Sequence, residues 1–75
     1  MTKEIKKEIT KRLLDSTNLN MTMQALREEG YLVYELEDSP HQDGGKEYLY
    51  RVETEDEQKI IDFLATNNKI EYIYY

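Results

Sequence analysis

The sequence predicts a small α+β domain over residues 1–75, with a three-stranded mixed sheet, helices mainly on one face, and the order α-α-β-β-α-β. Two observations predict this class. Apolar residues recur at helical spacing near the start, and aromatic and β-branched residues alternate in later segments, as in strands. All seven tyrosines lie at or after Tyr31, in three short runs. Together these patterns indicate a tyrosine-rich sheet with helices on one side.

The first helix is predicted over residues 3–14. Ile5, Ile9 and Leu13 recur at a spacing of four, and Thr2 can cap the first turn. The remaining positions are mostly charged. Such a narrow apolar stripe predicts a helix that packs along one edge only.

The second helix is predicted over residues 20–29. Asn20 is the expected N-cap, and Met21, Met23, Ala25 and Leu26 are expected to face inward. Gly30 follows the last turn, where glycine commonly ends a helix.

A hairpin follows, with strands at about 31–37 and 47–54. The connecting residues 38–46 contain Pro40 and the Gly44-Gly45 pair, which favour a loop. Alternation along both strands separates their side chains into two faces.

The third helix is predicted over residues 55–66. Thr54 to Glu57 fits a capping box, with acids in the first turn where the helix dipole favours them. Ile60, Ile61 and Leu64 would face the core, and Asn67-Asn68 would end the helix. The last strand, at about 69–75, would then run parallel to the second through a right-handed crossover.

This arrangement predicts which side chains meet the helices. The expected inner set is Leu32, Tyr34, Leu36, Tyr48, Tyr50, Val52, Ile70, Tyr72 and Tyr74. The expected outer set is Tyr31, Val33, Leu49, Ile73 and Tyr75, interrupted by Glu35, Arg51, Glu53 and Glu71. The outer face is too apolar for plain solvent, so either a partner protein, the first helix or a second subunit of a homodimer covers it.

The charge is distributed unevenly. Residues 1–14 carry five basic and two acidic side chains, a net +3, and residues 15–75 carry five basic and fourteen acidic ones, a net −9, which sum to −6. An acidic body repels phosphate and suits a partner with a basic surface, although such a charge also serves solubility. The sequence lacks cysteine, a signal peptide and an apolar run of membrane-spanning length, and we expect a cytoplasmic protein.

No pattern in the sequence indicates catalysis, a cofactor or a metal. Gly44-Gly45 and Lys46 precede a strand, whereas a phosphate-binding loop precedes a helix. His41 stands with Asp38 and Asp43 in a Pro/Gly loop, and this predicts a solvated histidine rather than a ligand set. We therefore predict no enzymatic activity, no cofactor and no metal site.

Nucleic-acid binding is the first alternative. Helix, turn, helix and hairpin over residues 3–54 resemble part of a winged helix, and Thr22–Gly30 before the hairpin is similar to its recognition helix and wing. The resemblance implies DNA or RNA binding, and the cations available for it lie on the first helix: Lys6, Lys7, Lys11 and Arg12. A winged helix normally has three helices before its wing, and Glu28 and Glu29 stand beside Arg27 in the presumed recognition helix.

The favoured prediction is a protein-binding module that inhibits or regulates its partner. Tyrosines supply contact area at low entropic cost, and clustered carboxylates can imitate phosphates. The composition is similar in character to that of small phage-encoded inhibitors of host enzymes. The predicted partner-binding residues are Tyr31, Val33, Leu49, Arg51, Ile73 and Tyr75, with Glu53, Glu55, Asp56 and Glu57 as an acidic rim. A structural, self-associating protein is the second alternative.

Overall fold

The computed structural model describes residues 2–36 and 47–74. Two helices precede a sheet of four strands, and neighbouring strands in the sheet are neighbours in the chain. Every strand pair is antiparallel. The elements are α1 (Thr2–Leu14), α2 (Leu19–Glu28), β1 (Leu32–Glu35), β2 (Glu47–Glu53), β3 (Lys59–Thr66) and β4 (Lys69–Tyr74).

The predicted three-stranded mixed sheet and third helix are wrong. Residues 59–66 form β3, which lies between β2 and β4, and the order is α-α-β-β-β-β. Every residue from Ile60 to Ala65 is buried, because β3 lies between β2 and β4 with the helices over its inner face, and side chains of the neighbouring strands shield Asp62 and Leu64 on the other face. An apolar run that only Asp62 interrupts does not distinguish a buried strand from a buried helix by periodicity. The parallel crossover predicted for the last strand is wrong for the same reason.

The predicted capping box is a hairpin turn. The Thr54 carbonyl accepts the Glu57 N–H at 2.9 Å, and the Thr54 N–H donates to the Gln58 carbonyl at 3.0 Å. Glu57 has a φ of +64°. These are the features of a three-residue hairpin loop whose last residue is left-handed. The Thr54 hydroxyl still accepts a backbone N–H, from Gln58 at 3.2 Å, so the capping chemistry is used within a strand connection.

The Asn67-Asn68 pair is also a turn between strands. Their φ angles are +51° and +66°, and Thr66 pairs with Lys69 directly across the turn. Two successive left-handed residues define the type I′ hairpin turn, for which asparagine is well suited. The pair therefore reverses the chain from β3 into β4, where we predicted the end of a helix.

The other elements lie close to their predicted bounds. The N-cap of α2 is Asn18 rather than Asn20, since the Asn18 Oδ1 accepts the Met21 N–H at 3.3 Å. Asn20 instead donates its N–H to the Asn68 Oδ1 at 2.9 Å, which ties α2 to the β3–β4 turn. Gly30 follows the helix with a φ of +105°, in the left-handed conformation that favours glycine.

One hydrophobic core lies between the two helices and one face of the sheet, here called the inner face. Its central side chains are Phe63, Ile61 and Val52, each fully buried. The helices contribute Ile9, Leu13, Leu19, Met23 and Leu26, and the sheet also contributes Val33, Ile60 and Ala65. Both helices cover the inner face, so among the described elements none covers the opposite side.

Candidate protein-binding face of the sheet

The outer face is the side of the sheet turned away from α1 and α2. Strand register places Tyr34, Arg51, Asp62 and Tyr74 in one row across all four strands. A second row contains Leu49, Leu64 and Tyr72. Leu32 and Glu53 are paired at the neighbouring end.

Ion pairs connect the charged residues in the middle of the outer face. The Arg51 Nε donates to Asp62 Oδ1 at 2.8 Å, and its Nη2 donates to Asp62 Oδ2 at 3.2 Å. The Lys59 Nζ lies 3.3 Å from Asp62 Oδ2, and the Arg51 Nη1 lies 3.9 Å from Glu53 Oε1. The Tyr34 hydroxyl donates to the Glu53 carboxylate. These five side chains form one network of hydrogen bonds and ion pairs.

The network changes the proton affinities of its members. Burial acts to raise the pKa of Asp62, but the hydrogen bonds from Arg51 and Lys59 outweigh it, and the pKa is lowered. The hydrogen bond to Glu53 raises the pKa of Tyr34, which keeps the hydroxyl a donor. The network is therefore charged but internally paired, and a partner covering it would meet few uncompensated charges.

Apolar surface borders this network on both sides. Leu32 and Tyr34 are exposed on β1, and Tyr72 on β4 is 59% exposed. The Tyr72 and Tyr74 rings are in contact, with centroids 4.7 Å apart. Leu64 is buried by its neighbours although it lies on the outer face. The surface thus combines firmly held tyrosines with a buried aliphatic centre.

An acidic turn lies at the end of the outer face, where β2 connects to β3. Glu55, Asp56 and Glu57 are all exposed. The Thr54 hydroxyl donates to the Asp56 carboxylate and holds it within the turn. These three residues give the outer face an acidic end close to Glu53 and Lys59.

The structure brings together only part of the predicted partner-binding set. Leu49, Arg51 and Glu53 lie on the outer face as predicted. Val33 is buried in the core, Ile73 packs against the core, and their predicted outward placement is wrong. Tyr31 is half-buried against the same core, and Tyr75 lies outside the described residues.

Leu32, Tyr34, Tyr72 and Tyr74 lie on the outer face, and their predicted placement on the inner face is wrong. Apolar side chains occur at both odd and even positions of β1. Alternation alone therefore does not determine which of its faces meets the helices. In β4, a register shift opposite Leu64 and Ala65 puts both Ile70 and Ile73 on the inner side. A β-bulge of this kind leaves no clear signal in the sequence.

The cations of the nucleic-acid alternative lie along α1. Lys7 and Lys11 are exposed, whereas Lys6 is half-buried. Arg12 donates to both carboxylate oxygens of Glu29, at 2.9 and 2.6 Å. The bidentate pair joins α1 to α2 and raises the pKa of Arg12, so this guanidinium is already engaged within the protein.

The described residues form neither a cluster of metal ligands nor a membrane-spanning helix. Residues 2–36 and 47–74 contain no group of three His, Asp or Glu side chains placed to hold a metal ion. His41, Asp38 and Asp43 lie outside these residues. Neither described helix has the length and apolar character needed to cross a membrane.

Comparisons with protein-family models, with curated proteins and with solved structures found no match for this chain.

Proposed function

We propose that this protein is a non-enzymatic binding module whose outer face docks on a basic surface of another protein, as an inhibitor or regulator of that partner in the cytoplasm. The observation that carries the proposal is the outer face itself. It presents exposed Tyr34, Tyr72 and Leu32 around a network of paired charges, and both helices lie on the other side of the sheet.

The chemistry of this face suits protein docking. Tyrosine rings bury a large area while fixing few torsions, and they are frequent interface anchors. The pairing of Arg51 with Asp62 lowers the desolvation penalty that an isolated charge would impose on a covered surface.

The acidic turn supplies the preference for a basic partner. Glu55, Asp56 and Glu57 are exposed beside the outer face, and the whole chain carries a net charge of −6. Complementary charge at the rim of an interface speeds association and excludes acidic competitors. Three adjacent carboxylates can occupy a site on the partner that otherwise accepts phosphates.

The proposal is tested by site-specific photo-crosslinking. p-Benzoylphenylalanine is placed at position 72 on the outer face, and in a matched variant at position 21 on α2, where Met21 is 70% exposed. Both variants are irradiated in cells of the source organism, with nuclease treatment before analysis. We expect one dominant protein adduct from position 72 and none from position 21.

The identified partner is then purified and its affinity measured. We expect Tyr72→Ala to weaken binding about tenfold or more, and affinity to fall with added salt. Equal crosslinking from both positions would contradict the proposal. Adducts that disappear with nuclease would favour the nucleic-acid alternative, and an adduct to a second copy of the chain would favour self-association.

A further inference from the structure

The two edges of the sheet differ in how their backbone groups are used. On the β1 edge, Arg27 of α2 donates from Nε and Nη2 to the Val33 carbonyl, at 3.1 and 2.9 Å. A guanidinium in this position occupies a carbonyl that an added strand would need. Covering and charging an edge in this way is a common means of preventing edge-to-edge pairing.

The β4 edge presents unpaired backbone groups. The Leu36 N–H donates to the Leu49 carbonyl at 2.7 Å, so the polar groups of Leu49 point toward β1. By antiparallel alternation, those of Leu64 point toward β4 and pair with Tyr72. Ile73 follows Tyr72 and directs its N–H and carbonyl away from the sheet. Within residues 2–36 and 47–74, no hydrogen bond reaches these two groups.

A groove lies between the C-terminal turn of α1 and the start of β4. Leu13 and Leu14 border a cavity of about 440 Å³ together with Lys69 and Ile70 at the start of β4. Leu14, which is 60% exposed, also borders a second cavity of about 570 Å³ on the surface of α1. The other residues that line this second cavity are Lys3, Lys6, Lys7, Thr10, Lys11 and Asp15.

The flank of α1 that borders the groove is its basic side. Arg12 faces α2 through its pair with Glu29, and Ile9 is buried in the core. At 100° per residue, Lys3, Lys7 and Leu14 lie on the side of the helix away from Arg12. This basic flank of α1 therefore adjoins the groove at the start of β4, the strand whose far edge carries the unpaired groups of Ile73.

We propose that the β4 edge binds an extended segment of another protein, which pairs with β4 as a fifth strand and directs carboxylate side chains toward α1. Main-chain hydrogen bonds to Ile73 would supply the pairing, and alternate side chains would supply the selectivity. The acidic side chains would meet Lys3 and Lys7, and the apolar ones would extend the outer face beside Tyr72. This site adjoins the docking surface proposed above at Tyr72, but it does not depend on that proposal.

Charge complementarity favours this occupant over a second copy of the chain. Two copies paired symmetrically through β4 would bring the two α1 helices to the same junction. Each α1 segment carries a net charge of +3 over residues 1–14, so the helices would repel one another. An acidic segment meets the same surface with attraction.

The probe for this site is a fluorescein-labelled peptide of eight residues in which glutamate and valine alternate. The control peptide has lysine in place of each glutamate. We expect the glutamate peptide to bind at least about tenfold more tightly than the lysine peptide, and the Ile73 amide to become protected from hydrogen exchange.

Matched variants locate the site on the protein. Leu14→Glu places a carboxylate in the groove and should weaken the glutamate peptide about tenfold, whereas Met21→Glu makes the same change on α2 and should alter affinity less than about twofold. Equal affinities for the two peptides, or protection of β1 amides instead of Ile73, would overturn the proposal. A stable dimer with Ile73 protected before any peptide is added would assign the edge to a second copy and would also overturn it.

Discussion

The inner and outer faces of the sheet are built from alternate residues of the same strands, but one face is buried and the other is exposed. On the inner face, Val52, Ile61 and Phe63 are fully buried beneath two helices. On the outer face, the residues between them, Arg51 and Asp62, satisfy each other's charges while tyrosines stay exposed. The comparison teaches that a buried core and an exposed tyrosine surface can be built from the same strands, one residue apart.

The largest expected effect lies on the inner face. Phe63→Ala removes a fully buried ring that stacks against Tyr50 at a centroid distance of 5.4 Å. We expect a loss of about 3–5 kcal/mol in the free energy of unfolding. A domain of this size has a net stability of roughly 3–5 kcal/mol, so the variant should be largely unfolded by circular dichroism. A cooperative thermal transition close to that of the wild type would show that the inner face is not the main source of stability.

The next effect tests the charged centre of the outer face. Asp62→Asn leaves the Arg51 guanidinium without its carboxylate partner and should cost about 1–3 kcal/mol in urea unfolding at pH 7. The pKa of Asp62 is lowered in the folded protein, so its contribution is present above its unfolded pKa of about 3.9 and is lost as pH falls through the folded value. The stability difference between wild type and variant should therefore be constant near neutrality and shrink below about pH 4. A difference that persists undiminished at pH 2 would contradict this assignment.

A smaller effect concerns the link between the helices and the sheet. Asn68→Ala removes the acceptor for the Asn20 N–H. It also places alanine at a φ of +66°, in the left-handed region that alanine adopts less readily than asparagine. We expect a loss of about 1–2 kcal/mol in thermal or urea unfolding. Asn68→Gly keeps the backbone conformation but removes the amide, so it should fall between wild type and Asn68→Ala. Equal losses for the two variants would show that only the amide contact matters.

The smallest effect is expected for an exposed tyrosine of the outer face. Tyr72→Ala should change the free energy of unfolding by no more than about 0.5 kcal/mol, because the side chain is 59% exposed and packs mainly on Tyr74. Urea unfolding of Tyr72→Ala and Phe63→Ala under the same conditions compares the loss in free energy of unfolding on the two faces. A loss approaching that of Phe63→Ala would mean that Tyr72 is a structural residue.

Much of the secondary structure could be predicted from the sequence because its signals are local. Ile5, Ile9 and Leu13 mark α1 by spacing, and Gly30 marks the end of α2 by its backbone freedom. The hairpin of β1 and β2 follows from alternating aromatic residues on each side of a loop. These features depend on the chain near each residue and on little else.

The errors arose where the answer depends on neighbours in space. Ile60 to Ala65 is apolar except for Asp62 because β2 and β4 lie on each side of β3, and the residues of this segment alone do not reveal that position. Thr54 and the acids after it suit a helix start and a hairpin turn equally well. Asn67-Asn68 did carry a local signal for a type I′ turn, but it was interpreted in the context of a helix.

The type of surface that forms the candidate site could be predicted from the sequence, but only some of its residues could. An aromatic sheet face with acids near it follows from composition, and Leu49, Arg51 and Glu53 were placed correctly. The phase of β1 and the bulge opposite Leu64 decide whether Tyr34 and Tyr72 or Val33 and Ile73 face outward. Both depend on how strands pair, which a single sequence does not specify.

The guanidinium of Arg27 on the Val33 carbonyl also bears on polymerisation. A fibre that grows by strand addition requires two open edges in every molecule, so that each unit can accept one neighbour and offer itself to the next. Here the Val33 carbonyl on the β1 edge is already occupied by a side chain from the adjacent helix. Addition at β4 is therefore less readily continued at β1, and one arginine makes open-ended growth of this tyrosine-rich sheet less favourable.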